Sequence, residues 1–114
     1  MTGVTALAAV MSEDDLDARV RKMAADLGLL RYHTHDSRRS ASGWPDLVLV
    51  GPRGVLYREL KREGKKPTPA QQVWLDALQA AGANATTWRP SDLLSGRIAH
   101  EMAAISGLTA AEAT

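Results

Sequence analysis

The stretch WPDLVLVGPRGVLYRELK, residues 44–61, decides how the rest of the chain is read. Asp46 to Val50 is a short, mostly apolar run that stops at Gly51, Pro52, Arg53 and Gly54, a cluster of turn residues. Val55 to Lys61 returns as a second extended run, so the pair predicts a β-hairpin. Gly43, Trp44 and Pro45 form a stiff turn ahead of it, and proline fixes the entry into the first strand. Residues two apart on a strand share a face. Glu59 and Lys61 therefore project side by side, while Leu56 and Leu60 go to the opposite face. The hairpin brings Asp46 beside Glu59. Two carboxylates and an ammonium then share one small site.

Outward from the hairpin, the chain alternates helix and strand signals. Ser12 with Asp15 three residues on is an N-cap signature, and Glu13, Asp14 and Asp15 suit the positive end of a helix. Leu16, Val20, Met23 and Leu27 recur at helical spacing up to Gly28. Leu29 to His35 is a strand, and residues 36–43 form a polar loop. After the hairpin comes a basic loop, Gly64-Lys65-Lys66-Pro67. Thr68, Pro69, Ala70 and Gln71 then combine a capping box with proline at the first helical position. That helix ends at Gly82. Ala85 to Trp88 is a short strand, and Pro90-Ser91 opens a last helix carrying Leu94, Ile98, Met102 and Ile105. The predicted order is αβββαβα, an α/β fold with a mixed four-stranded sheet between helices.

Composition bounds the function. A length of 114 residues fits one domain. With 45% hydrophobic and 24% charged residues, the chain is not a disordered, collagen-like or coiled-coil sequence. Residues 12–105 read as the domain, with 1–11 and 106–114 as flexible ends. There is no cysteine, which excludes disulfides, thiolate metal sites and thiol nucleophiles. No apolar run approaches the roughly 20 residues that span a bilayer. The apolar start lacks the basic region of a signal peptide, so a cytoplasmic protein without a membrane partner is expected. Net charge is +1, but Arg31 to Lys66 holds nine basic against four acidic residues, and the remainder is net −4. A basic middle segment suits an anionic partner, or a solvated charged surface.

The paired carboxylates carry the chemistry. Two adjacent carboxylates repel, so one is protonated unless a cation neutralises them. A hard, oxygen-seeking ion such as Mg²⁺ does so, and it can lower the pKa of a bound water. Lys61 can orient that water, help deprotonate it, or stabilise charge on a phosphoryl oxygen. Together these parts predict metal-assisted hydrolysis of a phosphodiester. A surface hairpin with a Glu–Lys pair is the plainer reading. At about 100° per residue, Glu13 falls at the edge of the first helix's apolar stripe, while Asp14 and Asp15 turn away. Glu13 is thus a further metal or water ligand, or an acid that only meets the helix dipole. Gln71 sits within the apolar stripe of the second long helix, where a buried amide needs a partner. It reaches the carboxylates or a phosphate, or it serves only the cap.

Taken together, SEDDL, YHTHDSRRSASGWPDLVLV, YRELKREGKKPTPAQQVWLDAL and TTWRPSD resemble the PD-(D/E)XK nuclease superfamily, and within it the stand-alone VRR-NUC proteins of phages and bacteria. The resemblance spans about Ser12 to Ile98. It implies a restriction-endonuclease-like core and Mg²⁺- or Mn²⁺-dependent DNA cleavage in a bacterial or phage-infected cell. By position, Asp46 and Glu59 match the metal-binding acids, with the Leu60 backbone carbonyl as a further ligand. Lys61 matches the catalytic lysine, Glu13 the first-helix glutamate and Gln71 the glutamine of the following helix. Ala70 stands where the family often has an acid. Members act on branched DNA, such as four-way junctions and flaps, and some are homodimers.

His33, Ser37, Arg38, Arg39, Ser40, Lys65 and Lys66 are the expected nucleic-acid contacts. Against this, His33 can be a locally bonded strand histidine and the arginines a solvated loop. The helix after Lys65 and Lys66 can hold a phosphate at its N-terminus. Trp44 can wedge against a base, or be buried; Trp74 is core by phase. The rival functions are a DNA-binding module without catalysis and an accessory subunit whose helicase or recombination partner brings the substrate.

Overall fold

A computed structural model describes residues 3–34 and 41–107. Its strands are β1 (Leu30–His33), β2 (Leu47–Gly51), β3 (Gly54–Leu60) and β4 (Asn84–Trp88). Its helices are α1 (Gly3–Val10), α2 (Glu13–Asp26), α3 (Pro69–Ala80), α4 (Pro90–Leu94) and α5 (Arg97–Ser106). The sheet order is β1-β2-β3-β4. The first three strands are antiparallel neighbours, and β4 runs parallel to β3 after the α3 crossover. The mixed sheet between helices is as expected, and the predicted element order is retained with two additions.

Both expected capping boxes form. The Ser12 hydroxyl accepts from Asp15 N–H at 3.0 Å, and the Asp15 carboxylate accepts from Ser12 N–H at 3.0 Å. Thr68 and Gln71 exchange the same pair of bonds at 3.2 and 2.8 Å. Each box satisfies two backbone donors that a helix start otherwise leaves open.

Strand alternation then separates two layers. Leu47, Leu49, Leu56 and Leu60 are buried with Leu16 and Val20 of α2 and Ile98, Met102 and Ile105 of α5. The other sheet face meets α3, where Trp44 stands edge-on to both Tyr57 (centroids 6.0 Å apart) and Trp74 (5.1 Å). Trp74 Nε1–H donates to the Ser42 carbonyl at 2.9 Å. Both tryptophans are half-buried, so Trp74, expected in the core by helical phase, lies outside the buried core cluster. Gly43 brings this loop against α3: its φ is 88°, and a Cβ there would lie 2.4 Å from the Ala70 carbonyl. The approach of loop and helix sets where β2 begins, and so where Asp46 stands.

Two elements differ from expectation. Residues 3–10, read as part of a loosely ordered end, form α1, which packs on α4 and buries Ala8; Met11 joins the core. Alanine-rich segments favour helix, but this one has neither a cap signal nor an amphipathic stripe. The last helix is two, because Gly96 adopts φ 87° and turns the chain between α4 and α5. The apolar spacing through Leu94 and Ile98 hides that break.

Candidate active site

The β2–β3 register pairs Leu47 with Arg58, so Asp46 and Glu59 stand opposite one another at the next step. Asp46 Oδ2 accepts from the Leu60 backbone N–H at 2.9 Å, which locks its carboxylate to β3. Glu59 is 1% exposed. Its Oε1 accepts from Gln71 Nε2 at 3.0 Å and lies 3.9 Å from Lys61 Nζ. Its Oε2 is buried and has no hydrogen-bond donor among the described residues. Burial, and then the neighbouring Asp46 carboxylate, push the Glu59 carboxyl up to about 9, against the pull of Lys61.

Gln71 resolves its two readings by doing both. Its Oε1 completes the α3 cap while its Nε2 reaches Glu59. The start of α3 is thereby pinned to the carboxylate pair. Such a link fixes a side chain that otherwise has several rotamers.

Glu13 comes to the same region from α2. With Asp14, Asp17, His33, Asp46 and Leu60 it lines a cavity of about 250 Å³. Glu59 does not line that cavity; Asp46 is the link between the cavity and the buried Glu59–Gln71–Lys61 group. Asp17 and Arg31 escaped the sequence reading. Arg31 Nη2 binds both oxygens of Asp17 at 2.7 and 2.9 Å, and His33 Nε2 lies 3.9 Å from Asp17. The signal for Asp17 was its place four residues after Glu13, on the same helix face. Lys65 and Lys66 are exposed in the loop after β3. Ser37, Arg38, Arg39 and Ser40 lie outside the described residues.

The donor set suits a hard divalent cation. Asp46, Glu59 and the Leu60 carbonyl offer oxygens only, and one carboxylate oxygen is buried with no hydrogen-bond partner among the described residues. No group of three or more acidic or histidine side chains converges as a cation site among the described residues. An ion here would need its remaining ligands from backbone, water or substrate oxygens, as Mg²⁺ commonly does.

Comparison with known proteins identifies the family and the fold. The VRR-NUC domain family model matches residues 6–91. A solved structure described as a VRR_NUC domain is similar at 29% identity, with a TM-score of 0.58, covering 79% of this chain and 98% of that one. A second, described as a VRR_NUC domain protein, shares the fold at 21% identity and TM-score 0.59, covering 87% and 98%. No curated protein matches. Among the described residues, no helix is long and apolar enough to cross a membrane. With most of its length matched by the family model, the chain belongs to the VRR-NUC family of nuclease domains.

Proposed function

We propose that the protein is a divalent-metal-dependent DNA endonuclease. The observation that carries this reading is the Asp46–Glu59 pair: two facing carboxylates, one of them buried with an oxygen unsatisfied among the described residues and a lysine beside it. Burying an acid this way is costly unless a cation or proton compensates it. Asp46, Glu59 and the Leu60 carbonyl would hold Mg²⁺ or Mn²⁺, with Glu13 reaching the same region from α2. The bound ion would neutralise the carboxylates and polarise the phosphoryl group. Gln71 keeps Glu59 oriented. Lys61, 14% exposed at its side chain, is near enough to the pair to orient a water or to meet charge developing on a phosphoryl oxygen. His33, Lys65 and Lys66 would contact the DNA backbone, with Ser37, Arg38, Arg39 and Ser40 adding to them.

Branched DNA is the substrate class we infer from the family resemblance. A homodimer would set two such sites on two strands. Leu30, Tyr32 and Val50 are exposed on the β1–β2 part of the sheet, apolar surface that a second copy would bury.

The test is cleavage of end-labelled four-way junction, flap, duplex and single-stranded DNA in Mg²⁺, Mn²⁺, Ca²⁺ and EDTA. Product in Mg²⁺ or Mn²⁺ that EDTA abolishes supports the reading. DNA binding without product in any metal would replace it with a binding module or an accessory subunit. Preference for the junction or flap over the duplex decides structure selectivity, and sizing chromatography over a concentration series decides the dimer.

A further inference from the structure

A cleft of about 470 Å³, larger than the cavity beside Asp46, wraps the outer edge of β4. Thr86 and Thr87 of β4, Gln72 of α3, and Lys66, Arg89 and Arg97 line it, and among the described residues no carboxylate does. Carboxylates outside the cleft meet one of its three cations and one of its amides, Asp76 Oδ1 accepting from Gln72 Nε2 at 2.8 Å. Arg97 is met by Asp92 at 3.2 Å and Glu101 at 2.8 Å. Lys66 and Arg89 have no ion pair among the described residues. Arg89 donates Nε–H and Nη2–H to the Lys65 carbonyl at 3.0 and 2.7 Å. Those bonds hold the guanidinium in place without neutralising it. They also tie the loop after β3 to the end of β4.

The cleft adjoins the carboxylate pair. Thr87 is the register partner of Glu59 on the neighbouring strand, a lateral spacing of about 4.8 Å. Lys61 N–H donates to the Trp88 carbonyl at 3.0 Å, which sets Lys61 beside the Arg89 end of β4. The two regions have opposite electrostatics. Glu13, Asp14, Asp17 and Asp46 crowd the smaller cavity with acids. A polyanion gains nothing there until a cation is present, so its attraction to the protein has to come from a neighbouring basic surface.

We propose that the β4-edge cleft binds a backbone phosphate of the nucleic-acid strand that flanks the phosphodiester to be cut. Lys66 and Arg89 supply the charge, and Thr86, Thr87 and Gln72 supply hydrogen-bonding groups around it. The identity of this ligand rests on the proposed DNA cleavage, while the site itself does not depend on catalysis.

The test is fluorescence anisotropy of labelled four-way junction and duplex DNA with the full chain in EDTA, across about 50 to 200 mM salt. Gln72→Glu and Thr86→Glu place a carboxylate in the cleft, and Gln72→Lys adds a cation. Gln72 is exposed on a helix surface, so its two variants remain informative even if Thr86→Glu folds poorly. The expected result is about tenfold weaker binding for each glutamate variant and several-fold tighter binding for Gln72→Lys. The salt slope should shift by roughly one unit in opposite directions for the two Gln72 variants. Both Gln72 variants binding as the parent does would overturn the proposal, as would a parent that binds neither DNA. Cleavage by the parent in Mg²⁺ is read on the same DNA. Cleavage with unchanged Gln72 variants removes the cleft and leaves the nuclease; charge-dependent binding without cleavage removes the nuclease and leaves the cleft.

Discussion

Arg58 and Glu59 are neighbours on β3, each 1% exposed, and they face opposite layers. Arg58 is closed within the protein. Its guanidinium donates to the Tyr57 carbonyl (2.9 Å), the Asn84 carbonyl (2.7 Å), Asn84 Oδ1 (2.8 Å) and Glu101 Oε1 (2.9 Å). It also lies 4.9 Å from the centre of the Trp88 ring. Only its Nε lacks a partner among the described residues. Burial works against the Glu101 carboxylate, but hydrogen bonds from Arg97, Trp88 and Arg58 outweigh it and hold that group below the usual carboxylate range. Among the described residues, Glu59 has one side-chain donor, a lysine at the limit of an ion pair, and a second carboxylate in place of a counter-ion. A structural buried charge and a poised one thus differ in where their complement lies. The first finds its complement inside the fold, and the second has its complement left to be supplied.

That contrast can be broken from either side. Asp46→Asn, Glu59→Gln and Lys61→Ala should each lower cleavage in Mg²⁺ by about a thousandfold or more, with the native circular-dichroism spectrum retained. A folded Lys61→Ala that cleaves as fast as the parent would refute the role given to that lysine. The Arg58 side should behave in the reverse way. Glu101→Ala strands a buried guanidinium and should cost about 3 kcal/mol in urea unfolding. Unchanged stability in that variant would mean that the network is not what holds α5 to the sheet.

The loop that presents Asp46 gives a smaller effect on both sides. Gly43→Ala adds a Cβ against the Ala70 carbonyl at a positive φ, and should cost about 1–3 kcal/mol. Because this loop leads into Asp46, cleavage should fall as well, which a purely local strain would not cause. Smaller again is a pH effect in EDTA. Glu59 has its folded pKa raised above its unfolded value, to about 9. Its contribution to stability is therefore fully present below about 4.5 and is lost as pH rises through 9. The melting temperature of the parent should fall relative to that of Glu59→Gln between pH 5 and pH 9, and parallel curves would contradict the burial of an ionisable group there.

The parts of this picture that the sequence discloses are those with local chemistry. Turn residues define the hairpin, and alternation puts Glu59 and Lys61 on one face. Ser12 and Thr68 mark two helix starts. Asp46 and Gln71 meet Glu59 as the strand pairing and helical phase require. What stays hidden depends on partners distant in the chain. Arg58 lies between Leu56 and Leu60 at strand spacing, so its inward direction was readable, but Glu101 and Asn84 as its partners were not. The cleft at β4 likewise draws on Lys66, Gln72, Thr86 and Arg97, which no motif joins. Helix α1 is stabilised by its contact with α4, and propensity alone does not reveal such a contact.

The most direct test of the central claim, that the Asp46–Glu59 pair is built to receive a cation, is thermal melting of the parent and Glu59→Gln at pH 8, in EDTA and in about 10 mM Mn²⁺. The account predicts a crossing: the glutamine variant melts higher in EDTA, and the parent melts higher in Mn²⁺ because only it gains from the ion. The same order in both conditions would contradict it.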